Sequence, residues 1–355
     1  MKNVAKVIGI NFLVLIAGLV IAELIFGSWL FGPDYREMNI PRNTVRVFDV
    51  EELYAGGGKI TYTRDEHGLR GEYDDVGSID VLTLGGSTTN QLYVDDANTW
   101  QAELARQFAA AGENLSVVNA AVDGQSTRGH IAVFERWFPL IEGLKARYVL
   151  VYAGINDVAV EAQEKYDDMR SPDASRRLAE TIKNKSALYG IYSTVKGVLA
   201  AYDARVVHGD SRRIGLDWEK WQPDDTRFAP PDAFKERLRA YERRLRTLTE
   251  RIRDFGAQAI FVTQPSADAR IRDGWIWLPT ARKDHAAAES YFRRLDAFNR
   301  ITMQTCMDLG AICIDLARNL SFEDGDFYDR VHNTGAGAKK IGRYLYEQLK
   351  DRLQR

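Results

Sequence analysis

Residues Ile79–Thr89 read IDVLTLGGSTT, an apolar run with one charge near its start that breaks at a glycine pair and continues through hydroxyl residues. A short run of this kind suits a strand buried on both faces, as in a parallel sheet, and glycines let the chain turn sharply where the strand ends. The texture recurs as SVVNAA at Ser116–Ala121, RYVLVYAG at Arg147–Gly154, AQAIFVTQ at Ala257–Gln264 and AICIDL at Ala311–Leu316. Helical patterns fill the intervals at Thr99–Ala111, Gly129–Ile141, Pro231–Asp254, His285–Leu309 and Thr334–Leu353. Five strands alternating with helices predict an α/β domain over residues 79–355, three layers deep around a mainly parallel five-stranded sheet. Ligands of such a sheet gather at the carboxyl ends of its strands.

Two stretches exceed the short connections of this architecture, residues 158–230 and 265–284. The first is helical in pattern at Ser171–Lys183 and Ser186–Ala201; the second carries Trp275 and Trp277 on either side of Ile276. Either insertion reads as a lid or as surface packing, and the two tryptophans offer faces on which a sugar could stack. Pro231–Asp254 contains RLRAYERRLRTLTERIRD and reads as a solvated amphipathic helix.

The amino-terminal part differs in kind. Val7–Phe31, VIGINFLVLIAGLVIAELIFGSWLF, is 25 residues long and broken only by Asn11, Glu23 and Ser28. At ~1.5 Å per residue it spans a hydrocarbon core of roughly 30 Å. It exceeds the apolar core of a cleaved signal peptide and lacks a small-residue cleavage site, so residues 1–32 read as an uncleaved signal anchor, with a buried core helix as the blander reading. Glu23 is out of place in such a span, and the sequence names no partner for it. Basic residues lie on both sides of the span, Lys2 and Lys6 before it and Arg36, Arg42 and Arg46 after, so charge alone hardly orients it. Residues 33–78 read as a linker and amino-terminal extension.

Composition bounds the rest. Across 355 residues, 45% hydrophobic and 28% charged content fits a globular chain. Forty-eight basic against fifty acidic residues leave a net charge of −2, too weak a field to collect nucleic acid. The mean hydropathy of −0.33 conceals the apolar amino-terminal segment. Two cysteines, Cys306 and Cys313, are too few for a disulfide scaffold or a four-thiolate zinc site; they read as a single disulfide or as two reduced thiols. The acidic cluster Glu323, Asp324, Asp326 and Asp329 lacks the spacing of a calcium loop and reads as a solvated turn.

Four short segments stand where the sheet would place chemistry: Gly85-Gly86-Ser87-Thr88-Thr89, Asp123-Gly124-Gln125-Ser126, Gly154-Ile155-Asn156-Asp157, and Asp329-Arg330-Val331-His332 before the last helix. Each alone is an ordinary turn or cap. Together they fall at strand ends or in the loop after the last strand. A serine hydroxyl needs an adjacent base, and among five histidines His332 alone has a carboxylate three residues before it in such a loop. His67, His130, His208 and His285 read as surface or structural residues.

On these segments the chain resembles the SGNH, or GDSL-type, serine hydrolases, whose four blocks supply a serine, a glycine, an asparagine and a histidine in that order. Tyr62–Gly71, ending in HGLRG, is similar to the segment leading into the sheet in membrane-anchored bacterial members. The resemblance implies a flavodoxin-like fold, Ser87 as nucleophile, Gly124 and Asn156 as oxyanion-hole donors, and Asp329 with His332 completing a triad, with no cofactor or metal. It departs in one place, since Gly86 stands where the first block usually has aspartate. The implied function is hydrolysis of an O-acyl, such as O-acetyl, ester through an acyl-enzyme, on a small-molecule, carbohydrate or lipid substrate. The enzyme would be held by one span in a bacterial inner membrane, with its catalytic domain on the periplasmic side. An O-acyltransferase working through the same acyl-enzyme, and a non-catalytic polysaccharide-binding or scaffolding domain, are the alternative readings.

Overall fold

The computed structural model describes residues 2–27, 29, 38, 40–160, 186–189, 215–221, 232–280 and 282–353. The chain divides into two units, Met1–Ile40 with Met169–Arg205, and Pro41–Asp168 with Val206–Arg355.

The first unit holds α1 (Lys2–Phe26). Its stretch Lys6–Phe26, mean hydropathy 2.5, is the one helix among the described residues long and apolar enough to cross a membrane. None of it is buried against protein. The structure supplies the partner that the sequence leaves unnamed for Glu23. Its carboxylate accepts from Trp29 Nε1 at 3.0 Å, Ser186 Oγ at 2.5 Å, and the backbone amides of Ala187 at 3.0 Å and Leu188 at 3.1 Å. Those two amides open the helical turn at residues 187–189, where the first N–H groups of a helix lack helical acceptors. The helix expected at Ser171–Lys183 lies outside the described residues, as does Ser186–Ala201 beyond Tyr189.

The second unit begins with β1 (Thr44–Asp49) and β2 (Lys59–Arg64), an antiparallel pair. This is a regular element in a stretch whose composition reads as irregular. The glycine run Gly56–Gly58 interrupts the pattern, with Gly56 and Gly58 both at positive φ in the connecting turn. The alternation resumes in β2, where Ile60, Tyr62 and Arg64 are buried and the residues between them are not.

In chain order follow β3 (Ile79–Gly85), α2 (Ser87–Asn90), α3 (Trp100–Ala110), β4 (Val117–Asn119), α4 (Thr127–Arg136), β5 (Ala146–Tyr152), β6 (Trp218–Trp221), α5 (Asp232–Asp254), β7 (Gln258–Val262), β8 (Arg270–Arg272), β9 (Trp275–Pro279), α6 (Arg282–Asp308), β10 (Ile312–Ile314), α7 (Leu316–Asn319) and α8 (Gly335–Leu349). The five strands expected from the sequence form one parallel sheet in the order β4-β3-β5-β7-β10. On one face Val81, Leu150, Tyr152, Ile260 and Val262 pack with Trp100, Leu104 and Phe108 of α3 and Ile341 and Leu345 of α8. Residues of the opposite parity, Leu82, Leu84, Val149, Val151 and Phe261, are buried as well, on the face that α4, α5 and α6 cover. Burial on both faces is what the unbroken apolar runs require.

The sheet order reverses between β3 and β5: the chain leaves β3 for β4 on one side and then returns to β5 on the other. Such a switch point opens a crevice at the carboxyl ends of the two strands. Ser87 follows β3 and Asn156 follows β5, so the two flank that crevice.

The helix read as solvated, α5, buries Phe234, Tyr241, Leu245, Leu248 and Ile252, yet one of its cations turns inward, Arg244, which pairs with Asp157 at 2.9 Å. The 265–284 insertion forms β8 and β9, which join β6 in a small antiparallel sheet. There Lys220 Nζ sits 3.0 Å from the Trp275 ring centroid and the Arg272 guanidinium 6.0 Å from that of Trp277. Cations therefore cover part of the aromatic surface that the sequence offers to sugars. Cys306 and Cys313 are joined as a disulfide, tying the end of α6 to β10.

Candidate active site

The Ser87 hydroxyl lies 2.7 Å from His332 Nε2, and His332 Nδ1 lies 2.6 Å from Asp329 Oδ2. Three residues from two ends of the domain thus form one hydrogen-bonded chain. The other oxygen of Asp329 accepts the backbone N–H groups of Val331 and His332, both at 2.8 Å. Burial pushes the Asp329 carboxyl up, but the His332 ring and these two amides outweigh it and hold it below the usual carboxylate range. An ionised Asp329 makes Nδ1 the protonated ring nitrogen, which donates to the carboxylate and leaves Nε2 to accept from Ser87. Tyr328 stacks on the imidazole with ring centroids 5.6 Å apart and planes 8° from parallel, and Tyr54, from the turn between β1 and β2, stacks on Tyr328 in turn.

The turn that carries Ser87 is compressed. A Cβ on Gly85 would meet Thr89 Oγ1 at 2.0 Å, and one on Gly86 would meet Asn156 Nδ2 at 2.2 Å. With the Asn156 amide where it stands, position 86 has no room for a side chain. Behind the turn stand two buried arginines from the HGLRG region. Arg64 donates to Gly68 O, Asn90 Oδ1 and Ala121 O; Arg70 donates to the carbonyls of Asn90, Gln91 and Val94 and to Asp96. The three carbonyls that Arg70 takes lie at the end of the single turn of α2 and just after it, where helical partners run out. Arg64 and Arg70 are each only 3% exposed.

Asn156 Nδ2 donates one hydrogen to Gln125 O at 2.7 Å, which leaves its second N–H available beside Gly86. Gly124, at φ 78°, adjoins that carbonyl and is exposed, with no atom within 4 Å of where a Cβ would be. The loop carrying it is fixed to the strand end by Val122 N–H donating to Gly85 O. Asp157 is fully buried below, where it accepts from Thr127 and Arg244; burial pushes its carboxyl up in spite of that arginine.

The structure therefore brings Ser87, Asn156, Asp329 and His332 together and sets the Gly124 loop against them. Of the remaining histidines, His285 donates from Nδ1 to Pro279 O and faces Glu219, His67 approaches Glu66, His130 is buried, and His208 lies outside the described residues. In the acidic cluster Glu323 and Asp324 are exposed, as a solvated turn requires, and pair with Arg270 and Arg272, while Asp326 is buried and pairs with Lys340. Among the described residues no group of three or more His, Cys, Asp or Glu is placed to hold a metal ion.

Sequence reasoning passed over Arg64, Arg70, Tyr328 and Gln264. For Gln264 a signal existed, since it is the last residue of the run AQAIFVTQ and so stands just past the carboxyl end of β7.

Similar solved structures include a catalytic mutant of the acetylxylan esterase Axe2 from Geobacillus stearothermophilus, 15% identical over 76% of this chain and 93% of that one, with a TM-score of 0.41. A lipase/acylhydrolase from Enterococcus faecalis is 15% identical over 78% of this chain and 98% of that one, TM-score 0.40. TesA is 14% identical over 77% and 98%, TM-score 0.40. A comparison with curated proteins found no match. The model of one family fits residues 83–340, from β3 into α8 and across every element that carries a candidate residue, and on that match the chain is an ester hydrolase belonging to the GDSL-like lipase/acylhydrolase family.

Proposed function

We propose that the protein is a membrane-anchored serine esterase that removes an O-acyl group, acetyl in the simplest case, from a carbohydrate or lipid of the cell envelope. The observation that carries the reaction is the unbroken chain from Ser87 Oγ through His332 to Asp329. Ser87 Oγ attacks the ester carbonyl carbon as its proton passes to His332 Nε2. The Ser87 and Gly124 backbone amides and the free N–H of Asn156 receive the charge that develops on the carbonyl oxygen. The tetrahedral intermediate collapses by breaking the bond to the alkoxide, and His332 returns the proton to that leaving oxygen. Water then repeats the sequence on the acyl-enzyme, His332 taking its proton, and the carboxylic acid leaves as Ser87 regains its hydrogen. Asp329 holds the imidazole in the tautomer and orientation that both halves need.

Two features support placement outside the cytoplasm, namely the apolar helix α1 and the disulfide, a bond that persists in oxidising compartments. A single experiment addresses site and side together. A membrane-impermeant fluorophosphonate added to intact spheroplasts is expected to label the wild-type chain and not Ser87→Ala. Equal labelling of the two overturns the nucleophile, and Ser87-dependent labelling that needs lysis puts the domain in the cytoplasm.

A further inference from the structure

Gln264 lies outside the four strand-end segments and has no role in the chemistry above, yet it touches both halves of the acylation machinery. Its side chain is buried, and the residue is 2% exposed. Nε2 donates to Thr88 Oγ1 at 2.8 Å and to Tyr152 O at 3.1 Å. Oε1 accepts the Ile155 N–H at 2.7 Å. Thr88 is the residue after Ser87, Tyr152 ends β5, and Ile155 precedes Asn156. One amide therefore joins the nucleophile turn, the strand beside it and the loop that presents the asparagine.

The bridge is itself held. The Gln264 backbone N–H donates to Asn299 Oδ1 at 3.0 Å, and Asn299 Nδ2 donates to Gln264 O at 2.9 Å, so a side chain of α6 clamps the main chain from which the glutamine projects. The Asn156 loop needs such a hold because it begins at Gly154, whose φ of 131° suits glycine and leaves that stretch with little steric restraint of its own. A Cβ built on Gly154 would lie 3.8 Å from Gln264 Oε1 and 3.7 Å from Asn299 Oδ1, so the loop turns directly over this pair.

We infer that Gln264 is a positioning residue that sets the distance between the Ser87 nucleophile and the Asn156 oxyanion donor. The inference rests on the roles proposed for those two residues. It makes Gln264 act through Asn156, so that its contribution exists only while the Asn156 amide is present.

The test is a kinetic cycle on the full chain in detergent, with a p-nitrophenyl ester. Gln264→Leu is expected to lower kcat by ~10- to 10²-fold with KM little changed, and Asn156→Ala by ~10²- to 10³-fold. The double variant is expected to match Asn156→Ala within about 3-fold, because the group that Gln264 places is already gone. Losses that multiply overturn the inference, since a glutamine that merely supports the fold would cost the same factor in both backgrounds. If Gln264→Leu does not fold, Thr88→Val removes one arm of the bridge with a smaller change in volume, and the same non-additivity with Asn156→Ala is required of it. Ser87→Ala separates the two levels of failure. Undiminished turnover in that variant removes the site itself, whereas a dead Ser87→Ala with multiplying losses removes only the role of Gln264.

Discussion

The two arms of the site are built in opposite ways. The acid–base arm is local: Asp329 takes the ring of His332 and the amides of Val331 and His332 within four consecutive residues. The nucleophile arm is assembled from a distance. Gln264 reaches Thr88 across 176 positions of sequence, Arg64 reaches Asn90 across 26, and Asn156 leans on Gln125 across 31. A carboxylate that can satisfy a turn and orient a ring together needs little outside help. A serine at the tip of a four-residue helix has no such economy, so buried polar groups from the amino-terminal hairpin and the far strands must hold it. The contrast predicts that damage to the local arm is chemical and damage to the assembled arm is geometric.

The largest effect is expected at the junction of the arms. His332→Ala removes the base from both half-reactions and should lower kcat by roughly 10⁴-fold or more, with a thermal midpoint close to wild type because the imidazole is partly exposed. Asp329→Asn keeps the ring but presents a neutral partner to Nδ1, so its smaller expected loss combines orientation, tautomer and the missing charge beside the imidazolium. Steady-state kinetics of the pair decide the matter: if His332→Ala retains more activity than Asp329→Asn, the assignment of base and orienting carboxylate is wrong.

A smaller effect probes the assembled arm without touching a reacting group. Gly86→Ala introduces a single methyl where the Asn156 amide now stands, 2.2 Å from its nitrogen. The asparagine must swing away, the oxyanion loses one donor, and kcat is expected to fall by ~10²-fold while Ser87 still reacts with a fluorophosphonate. Wild-type turnover in Gly86→Ala would mean that Asn156 can leave its place without cost, and the geometric half of the contrast would fail.

The same contrast explains what the sequence revealed. The five strands and the helices between them were legible because each is a local pattern of apolar residues, and all five pair in parallel as their two-sided burial requires. The chain Asp329 to His332 was legible for a similar reason, as its partners share one loop. Arg64, at the end of β2, and Arg70, in HGLRG, were not, because a buried arginine looks like any other charged residue until its carbonyl acceptors are in view. The β1–β2 hairpin hid behind Gly56–Gly58, and β6, β8 and β9 hid inside insertions whose strands pair only with one another. Glu23, an anomaly in an apolar helix, finds most of its hydrogen bonds about 160 positions away at Ser186–Leu188, a distance no local pattern spans.

The smallest effect should lie where neither arm reaches. Cys306 and Cys313 link the end of α6 to β10, the edge strand of the sheet, with β7 standing between it and the strands β5 and β3 that lead to Asn156 and Ser87. The bond closes a short loop, the two cysteines lying seven positions apart, and chain entropy alone gives it roughly 2 kcal/mol. In a domain as large as residues 79–355 that corresponds to a thermal midpoint lower by about 3–4 °C when both are replaced by alanine. Turnover at 25 °C should stay within about 2-fold of wild type, since the strand carrying the disulfide contributes no group to the crevice. A fall in kcat comparable to that of Gly86→Ala would show that the site depends on the rigidity of the whole sheet, and the division into a local and an assembled arm would then have to give way to one cooperative frame.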